Sequence, residues 1–217
     1  MAVRPVFMAS GEPPYYQEFQ AEFSWNGGFA QSQKQKNIAA MHRTFLTQFP
    51  DLKVLEISSK SVQAGGAELS AFHLQKFVPS LGRSIPVENI FQAGKVFENG
   101  GPFSDLLSVS PREAKRDERL QASGGLTAFC FEGQRFPIDP KTIFYDYIYC
   151  NALTENERLA QIVLSYDAFT DIEFNPSKSI NCQAKAAALF VSLSRLGLAD
   201  RIKDFPDFRQ LFIEEER

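Results

Sequence analysis

Three polar side chains, Glu88, Gln92 and Lys95, fall within one short stretch of the chain, PVENIFQAGKVFE from Pro86 to Glu98. At about 100° per residue, Phe91, Lys95, Glu88 and Gln92 share one quarter of a helix, while Ile90, Ala93, Gly94 and Phe97 gather beside it. The spacing therefore predicts a helix over 86–98 with one packing face and one polar edge. Glu88 and Lys95 would lie about 10 Å apart along its axis, too far for an ordinary surface pair. Such an edge is either a solvated face or a place for chemistry. A carboxylate beside an amine suits the anomeric carbon of a sugar, because breaking an N-glycosidic bond builds positive charge that Glu88 would stabilise. Lys95, desolvated near Phe91, would lose its proton and attack an opened sugar aldehyde as a Schiff-base nucleophile.

Other segments carry groups of interest. Glu98-Asn99-Gly100-Gly101 follows directly, and its glycines either offer backbone N–H groups to a phosphate or close a turn. In the helix opened by Ser110-Pro111-Arg112-Glu113, the cations Arg112, Lys115, Arg116 and Arg119 fall within roughly a 100° arc. That stripe either holds phosphates or is a solvated face. Tyr166 to Asn175 concentrates Asp167, Asp171 and Glu173 with Tyr166, Phe169 and Phe174. Acid and ring together suit a ribose hydroxyl and a stacked base; a structural turn with core aromatics is the alternative. Ser179-Ile180-Asn181 reads as the cap of the last long helix. His42 and His73 stand apart from any acidic pair and read as packing or surface residues. Metal-ligand spacing is absent from the sequence, and neither a metal nor a cofactor is expected.

The chain that must position these groups has 217 residues, enough for one domain with a sizeable core. A hydrophobic fraction of 44% with 21 Phe excludes disorder as the default. A net charge of -3 excludes a protein that coats nucleic acid by bulk electrostatics, so any nucleic-acid contact is local. Cys130, Cys150 and Cys182 form no CxxC pair and sit among apolar neighbours, which reads as buried free thiols in a reducing compartment. The N-terminal MAVRPVFMASGEPP is broken by Arg4 and Pro5 and makes neither a signal peptide nor an anchor. Ala184 to Leu198, with Lys185 and Arg195, is too short to span a bilayer. A cytoplasmic protein away from the membrane is the expectation.

Residues 15–25 alternate, with Tyr15, Phe19, Ala21, Phe23 and Trp25 opposite Glu18, Gln20 and Glu22, and predict a half-buried strand. Ile38, Met41, Phe45 and Phe49 recur at helical steps from about Ser32 and stop before Pro50. Lys53 to Ser58 reads as a core strand. Farther on, Ser110 and Glu113 form a capping box, with Gly124-Gly125 closing that helix. Asp139-Pro140 opens another helix through Ile143, Phe144, Tyr147 and Ile148. Thr154 with Glu157 predicts a second capping box before Leu159, Ile162 and Val163. A long apolar helix runs from roughly Cys182 to Leu196 and stops at Gly197. The fold class is α+β, one domain over 1–217, helix-rich toward the C-terminus, with 1–60 read as an N-terminal elaboration.

Taken in order, these pieces resemble the NADAR (YbiA-like) family. Glu88-x-x-Phe91-Gln92-x-x-Lys95 looks like the family's E-x-x-x-Q-x-x-K-F helix, with Val96 in place of the Phe. Leu69-Ser70-Ala71-Phe72 is similar to the L-S-N-F segment, with Ala71 replacing the amide residue. Ala114, Lys115 and Arg116 resemble the family's A-K helix. Asp171-Ile172-Glu173-Phe174-Asn175 resembles D-x-x-W-G, with Phe174 for Trp and Asn175 for Gly, and Asn181 matches the Asn that follows. The departures, with the N-terminal strand and the Trp25-to-Asn37 segment, place the chain nearer the branch associated with DarT-type toxins, along nearly its whole length.

That resemblance implies a helix-rich domain with a small sheet contributed mainly by the N-terminal half. It also implies an ADP-ribosyl glycohydrolase that removes ADP-ribose from guanine in DNA, as antitoxin to a DNA ADP-ribosyltransferase. Lys95 and Glu88 would be catalytic, and Ser70, Phe91, Gln92, Lys115, Asp171, Phe174 and Asn181 would contact the ligand. Arg112, Arg116 and Arg119 would meet the nucleic acid. Two other readings stay open: an N-glycosidase acting on a free phosphorylated ribosyl metabolite, and a non-enzymatic antitoxin that binds its toxin through aromatic surface such as Phe19, Phe23 and Trp25.

Overall fold

The alternating N-terminal segment does form a strand. In the computed structural model, which describes residues 1–28 and 30–213, β1 (Ala2–Ala9) and β2 (Tyr16–Phe23) make an antiparallel hairpin with Ala2 opposite Phe23 and Ala9 opposite Tyr16. Ala21 and Phe23 face inward and Glu18, Gln20 and Glu22 outward, as a period of two requires. Helix α1 (Gln31–Gln48) buries Ile38, Met41 and Phe45 with β-sheet residues Val6, Met8 and Phe23. It ends at Phe49, because Pro50 disfavours helical geometry in the residue before it.

Buried strand β3 (Val54–Glu56) follows. A loop containing Leu69-Ser70-Ala71-Phe72 leads to the hairpin of β4 (Gln75–Val78) and β5 (Arg83–Pro86), which delivers the chain into α2 (Val87–Ala93). The remaining elements are β6 (Lys95–Phe97), α3 (Pro111–Arg116), α4 (Arg119–Ala122), β7 (Leu126–Phe131), β8 (Gln134–Phe136), α5 (Ile143–Thr154), α6 (Glu157–Leu164), β9 (Ala168–Thr170), α7 (Gln183–Arg195) and α8 (Phe205–Gln210). One sheet has the order β2-β1-β9-β3, with β9 antiparallel to β1 and parallel to β3; β6, β7 and β8 form a second, antiparallel one.

The main core centres on α5 and α7, which are buried on nearly every side and so occupy the middle of the molecule. The fully buried Ala184, Ala186, Ala187 and Ala188 leave room for the larger Phe144, Tyr149 and Leu153 of α5. Phe129 and Phe136 of the β6-β7-β8 sheet pack on Phe144 with ring centres 4.6 and 4.8 Å away. Chain segments far apart in sequence thereby converge under α2.

Four boundaries differ from the sequence expectation. The helix expected over 86–98 stops at Ala93, and Lys95 starts β6, paired opposite Phe129. Gly94 is a weak helix former, and its carbonyl accepts the Cys130 N–H at 2.7 Å, so the backbone exchanges helix for ladder there. The helix expected from Ser110 to Gly124 breaks at Asp117, whose carboxylate accepts the Arg119 N–H at 3.0 Å and starts α4. The Ser110–Glu113 capping box itself is present in full. Asn156 caps α6 by accepting from Leu159 N–H, whereas Thr154 ends α5 and donates to the Asn151 carbonyl. Helix α5 begins at Ile143, three residues after Pro140.

After β6 the chain folds back at Gly100-Gly101, with the Phe97 N–H donating to the Gly100 carbonyl at 2.7 Å. Gly101 has φ +84°, and a Cβ there would lie 2.2 Å from the Lys95 carbonyl oxygen. Gly101→Ala is therefore expected to lower stability by more than about 1 kcal/mol in urea unfolding. Gly11→Ala, where a Cβ would meet nothing within 4 Å, should stay within about 0.5 kcal/mol of the parent.

Candidate functional site

Helix α2 has no side-chain cap, since Pro86 precedes it. Its first N–H groups are met instead by the loop before β4: Val87 N–H donates to the Leu74 carbonyl and Glu88 N–H to the Ala71 carbonyl, both at 2.9 Å. That loop is itself tied down. The Tyr149 hydroxyl donates to the Leu69 carbonyl at 2.7 Å, and the Gln183 amide oxygen accepts the Ala71 N–H at 2.7 Å. The Gln183 amide nitrogen donates to the Ile57 carbonyl just beyond β3. Gln183 thus joins three elements at the base of the site, and sequence reasoning missed it. Its one signal was a buried amide at the head of an alanine-rich helix.

Glu88 and Gln92 are buried, and Lys95 is half-buried at the start of β6. The Lys95 amine donates to the Gln92 amide oxygen at 2.7 Å, and the Gln92 amide nitrogen donates to Glu88 Oε1 at 2.9 Å. The glutamine therefore bridges the amine and carboxylate that a straight helix would have held apart. Glu88 Oε1 is also 3.6 Å from the Lys115 amine, which is 57% exposed at the rim and lies 5.2 Å from the Phe72 ring centre. The Lys95 amine lies 4.7 Å from the Phe91 ring centre, and that ring packs on Phe129, Phe144 and Tyr145. Burial pushes the Lys95 pKa down to about 8, against the opposing pull of Glu88 and with a further push from Lys115.

Asp171 follows β9 and faces the same region. The Lys115 charge acts on it, and Tyr145 is held high by burial first and then by both Glu88 and Asp171. Burial raises the Asp171 pKa, and the neighbouring Glu56 carboxylate raises it further. Phe174 is half-buried against the main core, and its N–H donates to the Asp171 carbonyl. Half-buried Asn181 lies one residue before the Cys182 cap of α7. Ser70 is buried, and its hydroxyl turns back to accept the Phe72 N–H of its own loop.

The predicted basic stripe is shorter than expected. The break at Asp117 removes Arg119, whose guanidinium pairs with Asp105 at 2.6 Å and Asp117 at 2.8 Å. Arg112 and Arg116 stay exposed on α3 beside Lys115. The aromatic surface imagined at the N-terminus is smaller too: Phe23 is buried, Phe19 packs on Phe45 and Phe49, and Trp25 is flanked by Arg4 and Lys34.

His42 donates to or accepts from the Thr170 hydroxyl at 2.8 Å, and His73 contacts the Ala67 carbonyl. Among the described residues no group of three or more His, Cys, Asp or Glu is placed to hold a metal, and no helix is long and apolar enough to cross a membrane. Cys150 and Cys182 are buried free thiols, and Cys130 is a half-buried one.

Chemically, the site offers an amine that is partly neutral near neutral pH, joined through one amide to a buried carboxylate. A family model described as DarT1-associated NADAR antitoxin matches residues 2–217. No curated protein matches the chain.

The electrostatics can be read directly. After reductive 13C-methylation, the Lys95 resonance is expected to titrate near pH 8, well below the ordinary lysine range, with the neutral amine gaining as pH rises through that value. Glu88→Gln removes the opposing charge and should move the midpoint further down, whereas Lys115→Ala should move it up. A midpoint in the ordinary range would refute the desolvated amine.

Proposed function

The chain belongs to the family of DarT1-associated NADAR antitoxins, and from that premise we propose that it is an enzyme, an ADP-ribosyl glycohydrolase that removes ADP-ribose from guanine in DNA and so reverses the modification made by its toxin. The observation that carries the proposal is the chain Lys95–Gln92–Glu88, in which a desolvated amine and a buried carboxylate are held together by one amide.

In this reading the N-glycosidic bond between ribose and base is broken through Lys95. As the C1′–O4′ bond breaks, O4′ takes a proton from water and the base nitrogen's lone pair forms a C=N bond to the anomeric carbon; the neutral Lys95 amine adds to that carbon, and the bond from it to the base nitrogen then breaks. The Glu88 carboxylate takes the proton that the bonded Lys95 nitrogen sheds and hands it to the departing base nitrogen. Water then adds to the Schiff-base carbon, ADP-ribose departs as the aldehyde, and Lys95 is regenerated. Gln92 keeps amine and acid in register. Asp171 accepts ribose hydroxyls, with Ser70, Phe91, Phe174 and Asn181 shaping the pocket. Lys115 at the rim, with exposed Arg112 and Arg116, supports a substrate carrying phosphates. The same reading places the protein in the cytoplasm with its DNA.

The loss of Arg119 to Asp105 and Asp117 favours a second reading, an N-glycosidase acting on a free phosphorylated ribosyl metabolite, since a short stripe binds a long polyanion less strongly. Release of ADP-ribose from guanine-ADP-ribosylated DNA, measured for purified protein, separates the two readings from each other and from simple toxin binding. Wild type is expected to release it, and Lys95→Ala and Glu88→Ala each to lose about 10²–10⁴-fold in kcat. A borohydride-trapped adduct should form in wild type and not in Lys95→Ala. Arg112→Ala with Arg116→Ala should raise KM and reduce the salt slope by about two phosphate contacts. Absence of release by wild type would sink the enzymatic proposal; release with unchanged KM in the arginine variant would favour the small-metabolite reading.

A further inference from the structure

Behind Asp171 lies a carboxylate that the proposed chemistry does not use. Glu56, the last residue of β3, is completely buried. Its Oε1 accepts the Ile172 N–H at 2.9 Å, and its Oε2 accepts the Thr170 hydroxyl at 2.6 Å. The two donors flank Asp171 on either side. Held through both of its neighbours, Asp171 is fixed at the point where β9 ends and the turn begins. Asp171 Oδ1 then accepts the Glu173 N–H at 2.9 Å, which closes the turn.

The clamp is also a hydrogen-bonded line. Thr170 Oγ1 lies 2.8 Å from His42 Nε2 on α1. With Glu56 ionised, the imidazole N–H donates to Thr170 and Thr170 donates to Glu56. With Glu56 protonated, all the hydrogens reverse: Glu56 donates to Thr170 and Thr170 to the His42 nitrogen. His42 can serve either way because burial keeps it neutral, its pKa pushed down to about 4. Burial raises both Glu56 and Asp171; the Glu56 charge adds to the rise of Asp171 and Glu173 to that of Glu56, while hydrogen bonds from Ile172, Ser58 and Thr170 hold Glu56 back. The other titratable groups facing them are Glu173 beyond β9, Lys115 on α3, Tyr145 and Tyr149 on α5 and Cys182 at the head of α7. Of these, the Lys115 ammonium favours an anionic Asp171.

We propose that Glu56 is a positioning residue of the ligand site, which clamps the backbone on both sides of Asp171 and keeps its own charge behind that carboxyl. The inference rests on the reading of Asp171 as a ribose-binding residue.

Two measurements on the full chain test it: calorimetric binding of ADP-ribose at pH 7, and the 13C titration of the Asp171 carboxyl without ligand. Glu56→Ala, which loses the clamp, should weaken ADP-ribose about tenfold or more. Glu56→Gln keeps an acceptor for Ile172 N–H and a donor toward Thr170 while carrying no charge. It should stay within about threefold of wild-type affinity and bring the Asp171 titration down toward the ordinary carboxylate range. Should Glu56→Ala fail to fold, Thr170→Val removes the bridging hydroxyl in its place, with weakened binding expected. Unchanged affinity in the clamp variant, or an unmoved Asp171 titration in Glu56→Gln, overturns the inference. Asp171→Asn is the control: if it binds ADP-ribose as wild type does, the ribose-binding reading itself has failed.

Discussion

A single amide links the two groups on which this site depends. Gln92 accepts from the Lys95 amine and donates to the Glu88 carboxylate, and all three side chains lie largely out of water. Buried polar groups are tolerated when their hydrogen bonds are made and costly when they are not, so the surroundings must hold α2 and β6 at a fixed angle. The turn from helix to strand at Gly94 sets that angle, and the β6–β7 pairing opposite Phe129 keeps it.

The rest of the fold serves as support for that geometry. The N-terminus of α2 is completed by the Ala71 and Leu74 carbonyls, and the loop that offers them is fastened by Tyr149 and Gln183 from the two central helices. Because α5 and α7 pack through alanines and aromatic rings in the middle of the molecule, movement of that loop would have to disturb the core. The Phe91 ring does double duty: it fills the core against Phe129 and Tyr145, and its face lies under the Lys95 amine. Across the site, buried Glu56 fastens the end of β9 beneath half-buried Asp171, on a sheet whose strands come from both ends of the chain.

Much of this is legible in the sequence. The alternation through Phe19, Ala21 and Phe23, the helical recurrence of Ile38, Met41 and Phe45, the Ser110–Glu113 capping box and the apolar helix stopped by Gly197 are each local patterns, and each appears as expected. The failures share a cause. Lys95 left its helix because Cys130 claimed the Gly94 carbonyl, and Arg119 left its stripe because Asp117 competed for the backbone and Asp105 for the guanidinium. In every such case a partner distant in sequence, or a side chain competing with the helix, outweighed a periodicity that counts only neighbours.

The sequence by itself determined which residue types were present at chemically useful spacing: Glu88, Gln92 and Lys95 within eight positions, Lys115 and Asp171 in later segments, and the motif order that marks the family. Only the tertiary structure decided that Gln92 is the bridge, that Lys115 sits over Glu88, that Gln183 fastens the floor, and that Glu56 stands behind Asp171. Burial is the physical reason. A side chain's charge state and reach depend on what displaces water around it, and those atoms come from segments as far as 126 residues away along the chain for Gln183 and Ile57, and 128 for His42 and Thr170.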